Sequence, residues 1–335
     1  MFQSWEVFSP YQTGRISHGS TLAQFPNGNL ITAWYSGSSE GHSDVGIYAS
    51  TYNLLQKSWS LPRLIEKKNQ KSSEGNPVFF FDDKTDRLWL FWVTMDKLIN
   101  GHLGGWSTCR IKCKHSMDFG KTWSKVRYLH NSWGWMTRNK PIRMSNGNIM
   151  LPIYIELLRY KSTFLVCPKK SFEKGAIESK WVKMANIGGG VLQPTVIELS
   201  KGHLLAYHRT AKRSSIRKRI AMSESVDFGK TWSLAIPTPL PNPNSGSDMV
   251  KLRNGNIVLA FNNSSIDRSN LSIGLSYDNG NTWSFIKLLE REKGQRFSYP
   301  AIIEASDETI YCTYTNKRMN IKCVNFDQEW IRRIS

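Results

Sequence analysis

No stretch of this 335-residue chain approaches the ~18 consecutive apolar residues of a membrane-spanning helix, so no membrane partner is expected. The opening residues MFQSWEVFSPYQTG lack the charged start and apolar run of a secretory leader, which makes a cytoplasmic location the expectation. Cysteine is sparse: Cys109, Cys113, Cys167, Cys312 and Cys323 are an odd set without zinc-site spacing, and they read as reduced thiols. No Asp-x-Asp-x-Asp-Gly loop is present, and neither a metal ion nor a cofactor is expected. Negative charge is the scarcest commodity, with 26 Asp plus Glu against 45 Lys plus Arg, a formal charge of +19.

Such a field attracts phosphates, anionic membranes or acidic saccharides alike, and charge alone does not choose among them. The basic runs Lys67 to Lys71, Arg110 to Lys114 and Lys212 to Arg219 accompany no basic helix or RNA-binding signature, so no nucleic-acid partner is expected. What the chain has in abundance is aromatic surface: 13 Trp, 12 Tyr and 15 Phe, a composition suited to strands. No Pro/Gly/Ser linker divides it, and residues 1–335 read as one domain.

Internal periodicity sets the architecture. Six segments share a polar turn followed by a short apolar strand: Pro26-NGNLITAW, Lys84-TDRLWLFW, Ser145-NGNIMLPI, Ser200-KGHLLAYH, Arg253-NGNIVLAF and Ser306-DETIYCTY. Their strands begin near Asn29, Arg87, Asn148, His203, Asn256 and Thr309, at separations of 58, 61, 55, 53 and 53 residues. That is the spacing of propeller blades. Three of the turns contain Asn-Gly, which predicts a hairpin closed by a type I′ turn with both central residues at positive φ.

A second motif, Ser-x-Asp-x-Gly-x-Thr-Trp, occurs at Ser116-MDFGKTW, Ser225-VDFGKTW and Ser276-YDNGNTW. Ser and Asp side chains can bond the amides of a tight turn, Gly supplies the permissive φ, and Trp buries a large face between blades. Trp59 and Trp181 stand at the corresponding places with the turn eroded. The chain therefore reads as all-β, a six-bladed β-propeller with four strands per blade, its N-terminal strand closing the ring against the last blade.

These repeats resemble the Asp boxes of the sialidase (neuraminidase) superfamily, and the resemblance covers essentially the whole chain. The stretches SHGSTLAQFPNGNLITAWYSGSSEGHSD, RNKPIRMSNGNIMLP, LQPTVIE, PNPNSGSDMVKL and FSYPAIIEA look closest to its predicted-neuraminidase branch. The resemblance implies three arginines on a substrate carboxylate, a tyrosine nucleophile and a carboxylic acid/base. Arg268, just before an Asp box, and Arg209, ending HLLAYHR, match two of the arginines, with Arg213 or Arg219 as alternatives to Arg209. Tyr299 matches the tyrosine, and Glu40 matches the acid/base loop of the first blade, with Asp44 as its alternative.

Two positions depart from the pattern. His18 stands where the first-blade arginine belongs, with Arg15 nearby, and Gln193 stands where the tyrosine's glutamate partner belongs. Glutamine takes no proton, and a tyrosine without a base keeps a pKa near 10. Glu156, His18 or His208 could supply the missing base. Three readings follow: a sialidase-like hydrolase acting on a terminal anionic sugar of an acidic glycan, a uronate lyase or hydrolase, or an inactive acidic-glycan or protein binder. The sequence carries no signal of oligomeric state.

Overall fold

The structure is a computed structural model that describes residues 1–66, 72–96, 105–156, 159–173 and 181–333; the basic run Lys67 to Lys71 lies outside the described residues. Six antiparallel sheets follow one another along the chain, and their inner strands touch in a ring around a central axis. In blade 1 the strands Ile16–Gln24, Leu30–Gly37 and Gly46–Asn53 are followed by Ser58–Trp59 and Arg63–Glu66, which both pair with Gly46–Asn53. Blade 2 runs Ser72–Asp82, Arg87–Asp96, Cys109–Ser116, Arg127–Tyr128, and blade 4 runs Val191–Ser200, His203–Thr210, Arg219–Ser225, Ile236–Pro241. In blade 3 the inner position is split between Trp135–Thr137 and Ile142–Arg143, both paired with Ile149–Ile155.

Blade 5 comprises Asp248–Lys251, Ile257–Phe261, Asn270–Ser276 and Phe285–Arg291. Blade 6 is Phe297–Glu304, Ile310–Asn316 and Asn320–Phe326, and Phe2–Glu6 pairs with Asn320–Phe326 to complete it. The N-terminal strand thus closes the ring, which leaves no sheet open between the first and last blades. The second strands start within a residue of the six predicted positions.

The Asn-Gly turns differ in type from expectation. Phe25 N–H donates to Asn29 O and Gly28 N–H to Phe25 O, and only Gly28 has positive φ (82°). Asn27 instead accepts the Asn29 amide on its side chain. This is a type I turn closed by a left-handed glycine, the three-residue hairpin with a G1 bulge. The same bonds recur at Met144–Asn148, Leu252–Asn256 and Ala305–Thr309, where Glu308 (φ 65°) takes the glycine's place.

Each Asp box sits on the turn from the third to the fourth strand of its blade. Asp227 accepts the Thr231 amide and hydroxyl while Ser225 Oγ accepts the Gly229 amide, and the boxes at Asp118 and Asp278 repeat the pattern. Trp232 packs on Phe164 of the preceding blade, with centroids 4.4 Å apart, and Trp283 on Tyr207 of the preceding blade, while Trp123 stacks on Phe79 of its own blade within the cluster that blade 2 shares with Ile31 and Ile47 of blade 1. These rings seal apolar layers between blades, the interfaces that hold a propeller together. All five cysteines are buried. Arg110 and Lys114, from the second basic run, are neutralised by Asp96 and Glu66.

Candidate active site

Antiparallel strands alternate direction, so the loops from second to third strands gather on the face opposite the Asp boxes. There they surround a cavity of about 510 Å³ at the axis. Its floor is made by irregularities of the inner strands. Ladder registers shift around Asn76, Gln193 and Tyr299, each a non-glycine residue at positive φ (45°, 51° and 55°) and each followed by proline. The bulge re-aims one side chain per strand into the cavity, while the proline gives up a ladder donor that the bulge leaves unpaired anyway. All three line the cavity. Backbone in this region costs about 1–3 kcal/mol per residue and persists only where surroundings enforce it.

Arg138 is part of that enforcement. It is buried at the axis, donating to the carbonyls of Ser20 and Pro300, with its guanidinium 4.8 Å from the centroid of the Tyr299 ring. Asn139 beside it donates to the carbonyls of Gln193 and Pro194. The sequence offered a signal for this floor in the dipeptides Asn76-Pro77, Gln193-Pro194 and Tyr299-Pro300, equivalent positions of three blades.

Tyr299 is the centre of the site. Its hydroxyl accepts from Arg209 Nη1 at 3.0 Å, and the same nitrogen donates to Gln193 Oε1 at 3.0 Å. Arg209 is fixed by donating Nε to Asn244 Oδ1 at 2.7 Å, and Arg268 donates to the Asn244 carbonyl at 2.7 Å while its guanidinium lies 5.3 Å from the Tyr299 ring centroid. Burial would push the phenol up, but Arg209 and then Arg268 outweigh it and lower its pKa to about 8. The expectation of an ordinary tyrosine is thereby corrected: cations stabilise its phenolate in the absence of a carboxylate base.

Glu40 lines the cavity, accepting from Tyr35 OH at 3.3 Å and from Arg318 Nη2 at 2.7 Å. Asp44, its alternative, is used structurally: it accepts the Ser38 amide and hydroxyl and bonds His42, pinning the loop that carries Glu40. Burial raises the pKa of Glu156, which also lines the cavity, against the opposing field of Arg209. Gln193 donates onward to Tyr154 OH at 3.3 Å.

Arg15 is exposed and off the cavity, with no hydrogen bond or ion pair among the described residues. Besides Arg209 and Arg268, the cavity is lined by Arg318, on the hairpin between Ile310–Asn316 and Asn320–Phe326 of blade 6, and by the exposed Arg296. His18 lies behind Tyr299, ring centroids 4.5 Å apart, with Nδ1 on Thr315 Oγ1 at 2.9 Å and Nε2 buried without a partner. Burial, reinforced by Arg318 and Arg268, holds its pKa well below the ordinary imidazole value, so it is neutral. His208 is removed from the chemistry: it is buried between Ser162 and Ser223, each bonded to one ring nitrogen. Arg213 lies beside the site without lining the main cavity, and Arg219 donates to the Pro239 carbonyl.

Residues 28–312 match the family model described as a BNR repeat-like domain. The chain belongs to this family, within the sialidase-like superfamily. A sialidase from Bacteroides fragilis is 24% identical over 307 residues, 82% of this chain; the chain spans about half, 54%, of that relative's length. Among solved structures, a Hadza microbial sialidase superposes with a TM-score of 0.82 at 17% identity, covering 98% of this chain and 69% of the other. The intramolecular trans-sialidase from Ruminococcus gnavus, in complex with oseltamivir carboxylate, gives 0.77 at 16% identity over 99% of this chain and 98% of the other. At these identities the BNR repeat-like chain shares with both the propeller fold.

Proposed function

We propose that this protein is a sialidase-like glycoside hydrolase that removes a terminal anionic sugar from an acidic glycan. The observation that carries this reading is the contact of one guanidinium, Arg209, with both Tyr299 OH and Gln193 Oε1, under a second, Arg268, that faces the same ring. Two planar cations at one end of a cavity suit a carboxylate, which a guanidinium grips with two parallel bonds. Tyr299 then attacks the anomeric carbon as its phenolate, the O–C bond forming as the glycosidic C–O bond breaks, and Glu40 gives its proton to the leaving oxygen. Water, deprotonated by Glu40, displaces the tyrosine in the second step. A substrate carboxylate competes with Glu40 for Arg318, which frees the acid as the sugar enters.

Gln193 favours a second reading. With Gln193 rather than a carboxylate sharing its Arg209 contact, a phenolate with a pKa of about 8 is itself a competent base for a proton α to a uronate carboxylate, and Arg209 and Arg268 would hold the enolate. Incubating the full chain and its Tyr299→Phe variant with sialosides and uronate oligosaccharides separates the two. Hydrolysis gives products together heavier by one water, elimination gives an unsaturated sugar and no mass gain, and equal activity of Tyr299→Phe would dismiss both.

A further inference from the structure

Beside the central cavity, a second cleft of about 300 Å³ opens between the outer loops of blades 4 and 5. The two share Lys212, Pro243, Asn244 and Ile266 as common walls, so a ligand can run from one into the other. Around the second cleft stand three cations, Lys212, Arg217 and Lys218, and no acidic residue. The +19 charge of the chain is elsewhere partly neutralised, as at Arg110 with Asp96, Lys114 with Glu66 and Lys140 with Asp248. Lys212, Arg217 and Lys218 are exposed and make no side-chain hydrogen bond or ion pair among the described residues. Like charges gathered on one short loop repel one another, and an arrangement of this kind is relieved by an anionic ligand.

The remaining walls add selectivity. Ile266, at 86% exposure, and Pro243 give the cleft an apolar lip, and a large exposed apolar side chain beside unpaired cations suits a sugar ring bearing a charged substituent. The Thr210 hydroxyl is committed to the Arg219 carbonyl, and Asn242 is committed to Ser245, so the cleft is held by its own bonds and its cations are left for a ligand.

We propose that this cleft is an aglycone subsite for a sugar carrying a phosphate or sulfate ester, placed next to the anionic terminal sugar in the central cavity. The inference rests on the reading of the central cavity as an anionic-sugar site and narrows its substrate to a glycan charged on both sides of the scissile bond. Arg209 and Arg268 take the carboxylate of the terminal sugar, and Lys212, Arg217 and Lys218 take the ester oxygens of its neighbour. A phosphate monoester, carrying close to two charges, binds more tightly there than a sulfate with one.

The test is calorimetric titration of the full chain, at fixed salt, with glucose, glucose 6-phosphate, glucose 6-sulfate and free sialate. The variants are Arg217→Ala/Lys218→Ala and Arg268→Ala, with melting temperatures confirming folded protein. Glucose 6-phosphate is expected to bind wild type better than glucose does, and to lose at least about tenfold in the double variant, as removal of charge-assisted bonds implies. Arg268→Ala should leave it unchanged. Equal binding of glucose and both esters, or equal binding of glucose 6-phosphate by wild type and the double variant, overturns the subsite. Sialate binding indifferent to Arg268→Ala, with ester binding still dependent on Arg217 and Lys218, counts against the central reading and supports an anionic cleft without it.

Discussion

Arg209→Ala removes the guanidinium that lies 3.0 Å from the Tyr299 hydroxyl and leads the lowering of its pKa to about 8. Without it, burial and the charge of Glu40 are opposed by Arg268 and the Gln193 side chain alone, and the phenol should return to or above its ordinary value near 10. The change of at least two units corresponds to about 2.7 kcal/mol of lost phenolate stabilisation. At pH 7 the phenolate fraction falls from about a tenth to about a thousandth, and a rate that depends on that species falls in proportion. The phenolate absorbance band reports this directly. Titrated upward from neutral pH, wild type should show one tyrosine ionising well before the rest, missing from Tyr299→Phe and shifted upward in Arg209→Ala. Circular dichroism of each variant checks that the propeller is intact. Persistence of the early transition in Tyr299→Phe would assign it to another tyrosine, and its persistence in Arg209→Ala would show that the arginine does not govern the phenol.

Gln193→Glu places a carboxylate within 3.0 Å of Arg209 Nη1, which should neutralise part of that cation and move the early tyrosine transition upward in the same titration. For the Asp boxes, Asp227→Ala should lower thermal stability by about 1 kcal/mol, after allowance for solvent screening, while leaving ligand binding unchanged. Partial burial pushes the Asp227 carboxyl up, but the Thr231 hydroxyl and amide and the Ser225 hydroxyl outweigh it and hold the pKa at about 2. Its contribution is therefore complete above the unfolded value near 4 and lost as pH falls through about 2, so melting curves of wild type and variant should converge in acid. Retained melting with lost ligand binding would contradict a structural role for the box.

The propeller was legible because its determinants are local. A turn, an apolar strand and a Trp after Ser-x-Asp-x-Gly are each written in fewer than ten residues, and repetition multiplies a weak signal. The hairpin type was not legible, because Asn-Gly serves both a type I′ turn and a type I turn with a left-handed glycine, and the choice rests on backbone bonds such as Gly28 to Phe25. In the site, Tyr299, Arg209, Arg268, Glu40, Gln193 and Glu156 gather around one cavity. Arg318 escaped notice because it sits 278 residues from its partner Glu40 on an unremarked hairpin, brought near only by ring closure. Arg138 escaped for a different reason: its work is on carbonyls of bulged strands in blades 1 and 6, and no spacing rule encodes a contact across the axis. Arg15 and Asp44 were credible from proximity in sequence, but one points to solvent and the other is consumed by its own loop.

The central claim is that Arg209 and Arg268 together grip the carboxylate of an anionic sugar. Calorimetric titration of wild type, Arg209→Ala and Arg268→Ala with sialate and glucuronate tests it most directly. Each variant should bind the acidic sugar more weakly by about 2–4 kcal/mol, because the carboxylate would stay desolvated with half its partners gone, and Arg268→Lys should recover only part of the loss. Neutral sugars should be affected far less. Unchanged affinities for both acidic ligands in both alanine variants would contradict the account.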